Sequence, residues 1–72
     1  MLARENLKDF RLLKRMSQDR FAKEIGYSRG MYQQVENGER DGTQEFWTAL
    51  QKRFNVEDQK MWSLMKKTEK RG

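Results

Sequence analysis

No proline interrupts the 72 residues, and only five glycines do. Helix breakers are therefore rare, and the places where they fall mark where helices stop. β-Branched residues are few, and no stretch alternates apolar with polar side chains. The Asn37-Gly38 pair follows a helical pattern, so it reads as a helix C-terminus rather than a hairpin turn. The pattern predicts an all-α fold, a compact five-helix bundle.

Helix one is expected from about Ala3 to Arg15, with Leu7 and Phe10 on one face and Leu12, Leu13 and Met16 widening the apolar arc. Ser17 offers an N-cap hydroxyl for a short second helix, Gln18 to Ile25, burying Phe21, Ala22 and Ile25. Gly26 ends it, and Ser28 caps a third helix from Arg29 to about Asn37, anchored by Tyr32 and Val35. Gly38 closes that helix, and Glu39 to Gly42 form a polar loop. Thr43 caps a fourth helix, Gln44 to Phe54, with Trp47, Leu50 and Phe54 turned inward. The fifth helix, from about Asp58 to Thr68, presents Met61, Trp62, Leu64 and Met65. At this length folding buries only roughly 60% of the surface of the unfolded chain. Four large apolar groups on the last helix exceed what so thin a core hides, which makes them candidates for a homodimer contact. The expected organisation is one domain, residues 1–68, and a flexible basic tail, residues 69–72.

Composition narrows the chemistry. The chain has no histidine and no cysteine. It therefore lacks a thiolate nucleophile, an imidazole base, a thiolate or imidazole metal site and any disulfide. The acidic residues do not cluster at ligand spacing, so neither a metal nor a cofactor is expected. No apolar run approaches the ~18 residues of a membrane span. The expectation is a cytoplasmic module that is not an enzyme and takes no small-molecule substrate. Net charge is +5, and its layout is uneven. Residues 1–28 carry seven basic and four acidic side chains, residues 29–45 two and four, and residues 46–72 seven and three. Two basic flanks suit a polyanion, because each neutralised phosphate releases condensed counterions. A solvated lysine-rich surface accounts for the same charge more simply, so charge alone does not establish a nucleic-acid partner.

The most informative stretch is Gln18 to Asn37. Two short helices meet at a glycine turn, with the small residue Ala22 four positions before Gly26 and the apolar Tyr32 and Val35 six and nine after it. A small side chain lets the third helix cross the second closely, and the apolar pair anchors it to the core. Arg29, Gly30, Gln33 and Gln34 then share the outward face of the third helix. Arginine and glutamine are well suited to reading base edges, Arg bidentate to guanine and Gln to adenine.

The ordered set Phe10-Arg11, Met16-Ser17-Gln18, Phe21-Ala22, Ile25-Gly26-Tyr27-Ser28 and Tyr32-Gln33-Gln34-Val35-Glu36-Asn37-Gly38 resembles the helix-turn-helix of phage Cro and repressor proteins. The resemblance continues through Thr43, Trp47, Leu50, Phe54 and Val56, covering roughly Leu7 to Trp62. It implies a lambda-repressor-like bundle whose helices two and three form the helix-turn-helix. It also implies DNA base contacts from Arg29, Gly30, Gln33 and Gln34. Phosphate contacts are implied for Gln18, Ser28, Asn37 and Arg40, and a structural ion pair for Arg11 and Glu36. The sequence departs from the family at Arg15, where a helix-ending glycine is usual, and at Gln44 and Gln51, which are often apolar. Glu39 and Asp41 place negative charge beside the implied phosphate track.

The resulting expectation is a sequence-specific regulator of transcription, a repressor on a double-stranded operator with inverted-repeat symmetry. It would act in the bacterial cytoplasm or nucleoid, encoded by a phage or mobile element. A protein-interaction module of antitoxin or antirepressor type, binding through the apolar face of helix five, is the competing reading.

Overall fold

The computed structural model describes residues 1–71. Five helices follow one another with short connections: α1 Glu5–Leu13, α2 Gln18–Glu24, α3 Arg29–Glu36, α4 Gln44–Phe54 and α5 Asp58–Met65. Two-residue strands, β1 Leu2–Ala3 and β2 Thr68–Glu69, pair antiparallel and bring the chain's ends together. Among the described residues, no helix is long and apolar enough to cross a membrane.

Local chemistry sets most boundaries. The side-chain oxygens of Ser17, Ser28 and Thr43 accept from the backbone N–H groups of Arg20, Met31 and Phe46 at 3.1, 3.2 and 3.1 Å. Each satisfies a first-turn donor that the helix itself leaves unpaired. Helix α1 is shorter than its apolar pattern suggests at both ends. Arg4 leaves helical geometry and donates its backbone N–H to the Glu36 carbonyl at 2.8 Å, so Ala3 joins the ribbon instead. At the other end Arg15 adopts φ 58°, the left-handed turn that glycine takes more cheaply. Helix α5 stops at Met65 rather than Thr68, because Lys66 is extended and leads Thr68 and Glu69 into pairing with β1.

The core draws Leu7 from α1, Phe21 and Ala22 from α2, Tyr32 and Val35 from α3, Phe46, Trp47 and Leu50 from α4, and Met61 and Leu64 from α5. Aromatic contacts join the layers. Phe21 stacks on Phe54 with ring centroids 4.8 Å apart, and Phe10 meets both rings edge-on. Tyr32 lies between Phe21 and Phe46. Arg53 of α4 pairs with Glu24 of α2 at the rim.

The four dimer candidates on α5 divide. Met61 and Leu64 are 6% and 0% exposed, so they are core residues and are not available to a partner. Their three-residue spacing places them together on the inward face, while Trp62, at 76% exposure, and Met65 face outward. The tail also differs from expectation. Thr68 and Glu69 pair with β1, the Lys70 N–H donates to the Met1 carbonyl, and the Arg71 guanidinium bridges Glu5 and Asp9. Gly72 lies outside the described residues.

Candidate nucleic-acid interface

Ala22 is fully buried on α2, which packs against α3. Gly26 takes φ 82° in the turn between them, and the Tyr27 N–H closes back on the Ala22 carbonyl at 2.9 Å. Burial of Tyr32 and Val35 then fixes the roll of α3 about its own axis. Arg29 and Gly30 are exposed at its N-terminal end, with Gln33 and Gln34 half-buried one turn on. Among the described residues, the side chains of Arg29, Gln33 and Gln34 make no hydrogen bond or ion pair. Their donors and acceptors remain open to a ligand.

Gly30 has no neighbour within 4 Å of the place where a Cβ would stand, and its backbone is helical. Glycine there lowers helix stability without relieving any crowding. Gly30→Ala should stabilise the protein by about 1 kcal/mol, read from urea denaturation. A variant less stable than wild type would contradict the open space seen at this position.

Beneath the exposed face, the Glu36 carboxylate gathers three donors. Arg11 donates from Nε to Oε1 at 2.9 Å and from a terminal nitrogen to Oε2 at 3.4 Å. The Tyr32 hydroxyl donates to Oε1 at 2.8 Å, and Gln18 donates its amide to Oε2 at 2.6 Å. Burial pushes the Tyr32 phenol far above its usual range, and the Glu36 charge adds to that shift. For Arg11, burial opposes the charge, but the bonds and charge of Glu36 more than offset it, so its pKa rises. The cluster is a closed ionic lock linking α1, the start of α2 and the end of α3.

Gln18 thus ties the start of α2 to the lock. Its half-buried amide gives one N–H to the carboxylate and keeps a second N–H to donate elsewhere. Ser28 Oγ caps α3 and keeps its hydroxyl proton to donate. Asn37 makes a long contact to Glu39 at 3.4 Å. Arg40 is exposed, and its guanidinium has no partner among the described residues.

A family model described as helix-turn-helix matches residues 7–60. The chain belongs to the helix-turn-helix family of Cro/repressor type. No curated protein and no solved structure gave a match. Membership makes this helix-turn-helix protein a DNA-binding regulator. The matched segment holds the whole α2–turn–α3 unit and both halves of the ionic lock.

Two side chains that organise this surface went unread in the sequence, and both fall outside the matched segment. Arg4 is 4% exposed and donates to the carbonyls of Val35, Arg40, Asp41 and Met65 at 2.6, 2.8, 3.2 and 2.9 Å. Its guanidinium also lies 5.3 Å from the centre of the Trp47 ring. Burial lowers its pKa, and the Asp41 charge offsets part of that. Lys67 reaches the Asp41 carboxylate at 3.2 Å. Neither residue carries a local signal, because every partner lies far away in the chain.

Proposed function

We propose that this protein is a transcriptional repressor that sets α3 into the major groove of an operator with inverted-repeat symmetry. The observation that supports this reading most directly is the free Arg29, Gln33 and Gln34 face on a helix whose roll is held by the Glu36 lock. Pre-set side chains lose little entropy on docking, so their bonds count toward discrimination between bases. Ser28, Asn37 and Arg40 flank that face and supply the phosphate contacts that fix register. Occluding a promoter needs no further domain.

The outward Trp62 and Met65 favour a homodimer, which would set two copies of α3 about 34 Å apart, one turn of the duplex. The same exposed pair is what a heterologous protein partner would bind in the antitoxin-like reading. Selecting bound sites from random duplexes separates the two. A palindromic winner supports the repressor dimer, whereas no enriched site supports the protein partner.

Gln34→Ala should weaken binding to the selected site by about 1–3 kcal/mol and relax preference at one base pair. Fluorescence anisotropy against single-base variants of the site measures both effects. Unchanged affinity in both Gln34→Ala and Arg29→Ala would place the docking face elsewhere.

A further inference from the structure

The segments outside residues 7–60 are not idle extensions of the bundle. The β1–β2 ribbon lies against the C-terminal end of α3, where the Arg4 N–H bonds the Glu36 carbonyl and Leu2 packs on Gly38. From this base Arg4 reaches into the loop that follows α3. Its guanidinium holds the carbonyls of Arg40 and Asp41 together with that of Val35 in the last turn of the helix. A planar fork bonds several carbonyls at once in fixed directions, which an ammonium group does not reproduce. The side chain of Arg40 therefore leaves the surface from a backbone position set by Arg4. From the other end of the chain, Lys67 pairs with Asp41, the acid adjoining Arg40. Left unpaired, that carboxylate would repel a phosphate approaching Arg40.

We propose that the chain's two ends form a clamp on the loop after the recognition helix, in which Arg4 is a positioning residue for the Arg40 phosphate contact and Lys67 masks Asp41. The inference rests on the docking of α3 proposed above and deepens it. Discrimination between bases stays with α3, while the clamp governs one phosphate contact beside it.

The salt dependence of binding isolates that contact. Each phosphate neutralised on B-DNA contributes about −0.9 to the slope of log K against log salt concentration. Arg4→Lys and Lys67→Met, both on the full chain, are compared with wild type on the selected operator, at temperatures where urea titration shows each variant folded. Arg4→Lys keeps the charge but not the fork, and should make the slope shallower by about one phosphate contact. Preference among base pairs read by Gln34 should stay as in wild type. Lys67→Met should weaken binding several-fold, and adding Asp41→Asn should restore it.

A purely structural role for Arg4 lowers stability but leaves the slope of the folded variant unchanged. A wild-type slope in folded Arg4→Lys, or failure of Asp41→Asn to restore Lys67→Met, would overturn the clamp while leaving the docking of α3 intact. Absence of salt-dependent duplex binding by the wild-type protein would overturn the docking, and the clamp with it. Should Arg4→Lys fail to fold, the Lys67→Met and Asp41→Asn pair decides alone, since Lys67 sits at the surface.

Discussion

Glu36→Ala is expected to destabilise the protein by about 3–5 kcal/mol, the usual consequence of removing one partner from a buried ion pair. The carboxylate is 4% exposed and serves Arg11, Tyr32 and Gln18 together. Its loss leaves a buried guanidinium with one remaining partner, the Met16 carbonyl at 2.8 Å, and a buried phenol with none. Small domains hold only about 5–15 kcal/mol in total, so the loss is a large share of the whole. At about 4–8 °C per kcal/mol for a domain this small, the melting temperature should fall by more than ten degrees. Circular dichroism through a thermal ramp and a urea titration measures both. The cost comes from the abandoned charge rather than from the lost attraction. An apolar replacement of both members, Arg11→Met with Glu36→Leu, should therefore recover the part due to the stranded charge, leaving the unpaired Tyr32 hydroxyl at a cost of about 1–3 kcal/mol. A Glu36→Ala variant within 1 kcal/mol of wild type would show that the lock is ornamental.

The lock also shows why the sequence was informative in some places and silent in others. The caps at Ser17, Ser28 and Thr43 were legible because a hydroxyl three residues before a backbone N–H is a local relation. Helix α4 matches its expected bounds, Gln44 to Phe54, for the same reason. Arg11 and Glu36, by contrast, lie 25 residues apart, and only the family resemblance joined them. The bond from Gln18 to Glu36 is likewise a long-range relation, across 18 residues, that no local pattern announces.

Where neither local pattern nor resemblance applied, nothing could be read. The bonds of Arg4 span 31 to 61 residues, and a two-residue ribbon carries no alternation to detect. The apolar excess on α5 was visible, but which arc faced inward depended on where α1 packs. Once α1 and α5 lie side by side, with Asn6 donating to Ser63, Met61 and Leu64 turn in and Trp62 turns out. Gln51, unusual for an apolar position, finds polar work there by donating to the Val56 carbonyl and to Asp58 at 2.9 and 2.7 Å.

Gly38→Ala should cost about 2–4 kcal/mol, and the reason distinguishes it from other turn glycines. Gly38 has φ 81°, a conformation that costs an alanine about 1–2 kcal/mol. A Cβ there would also stand 2.5 Å from the Leu2 carbonyl oxygen and 3.2 Å from Ala3 Cα. Both obstacles are backbone, so no rotamer change relieves them, and β1 itself must move. Forced shifts of that kind add about 1–3 kcal/mol. The smaller entropy of the unfolded alanine chain returns only about 0.4–1 kcal/mol. Gly26 supplies the control, with φ 82° but nothing within 4 Å of its missing Cβ. Gly26→Ala should therefore show the conformational cost alone, and the difference between the two variants measures the contact between ribbon and recognition helix. Equal losses in the two urea titrations would mean that β1 yields freely. The end of α3 would then rest on the Glu36 lock without help from the chain's termini.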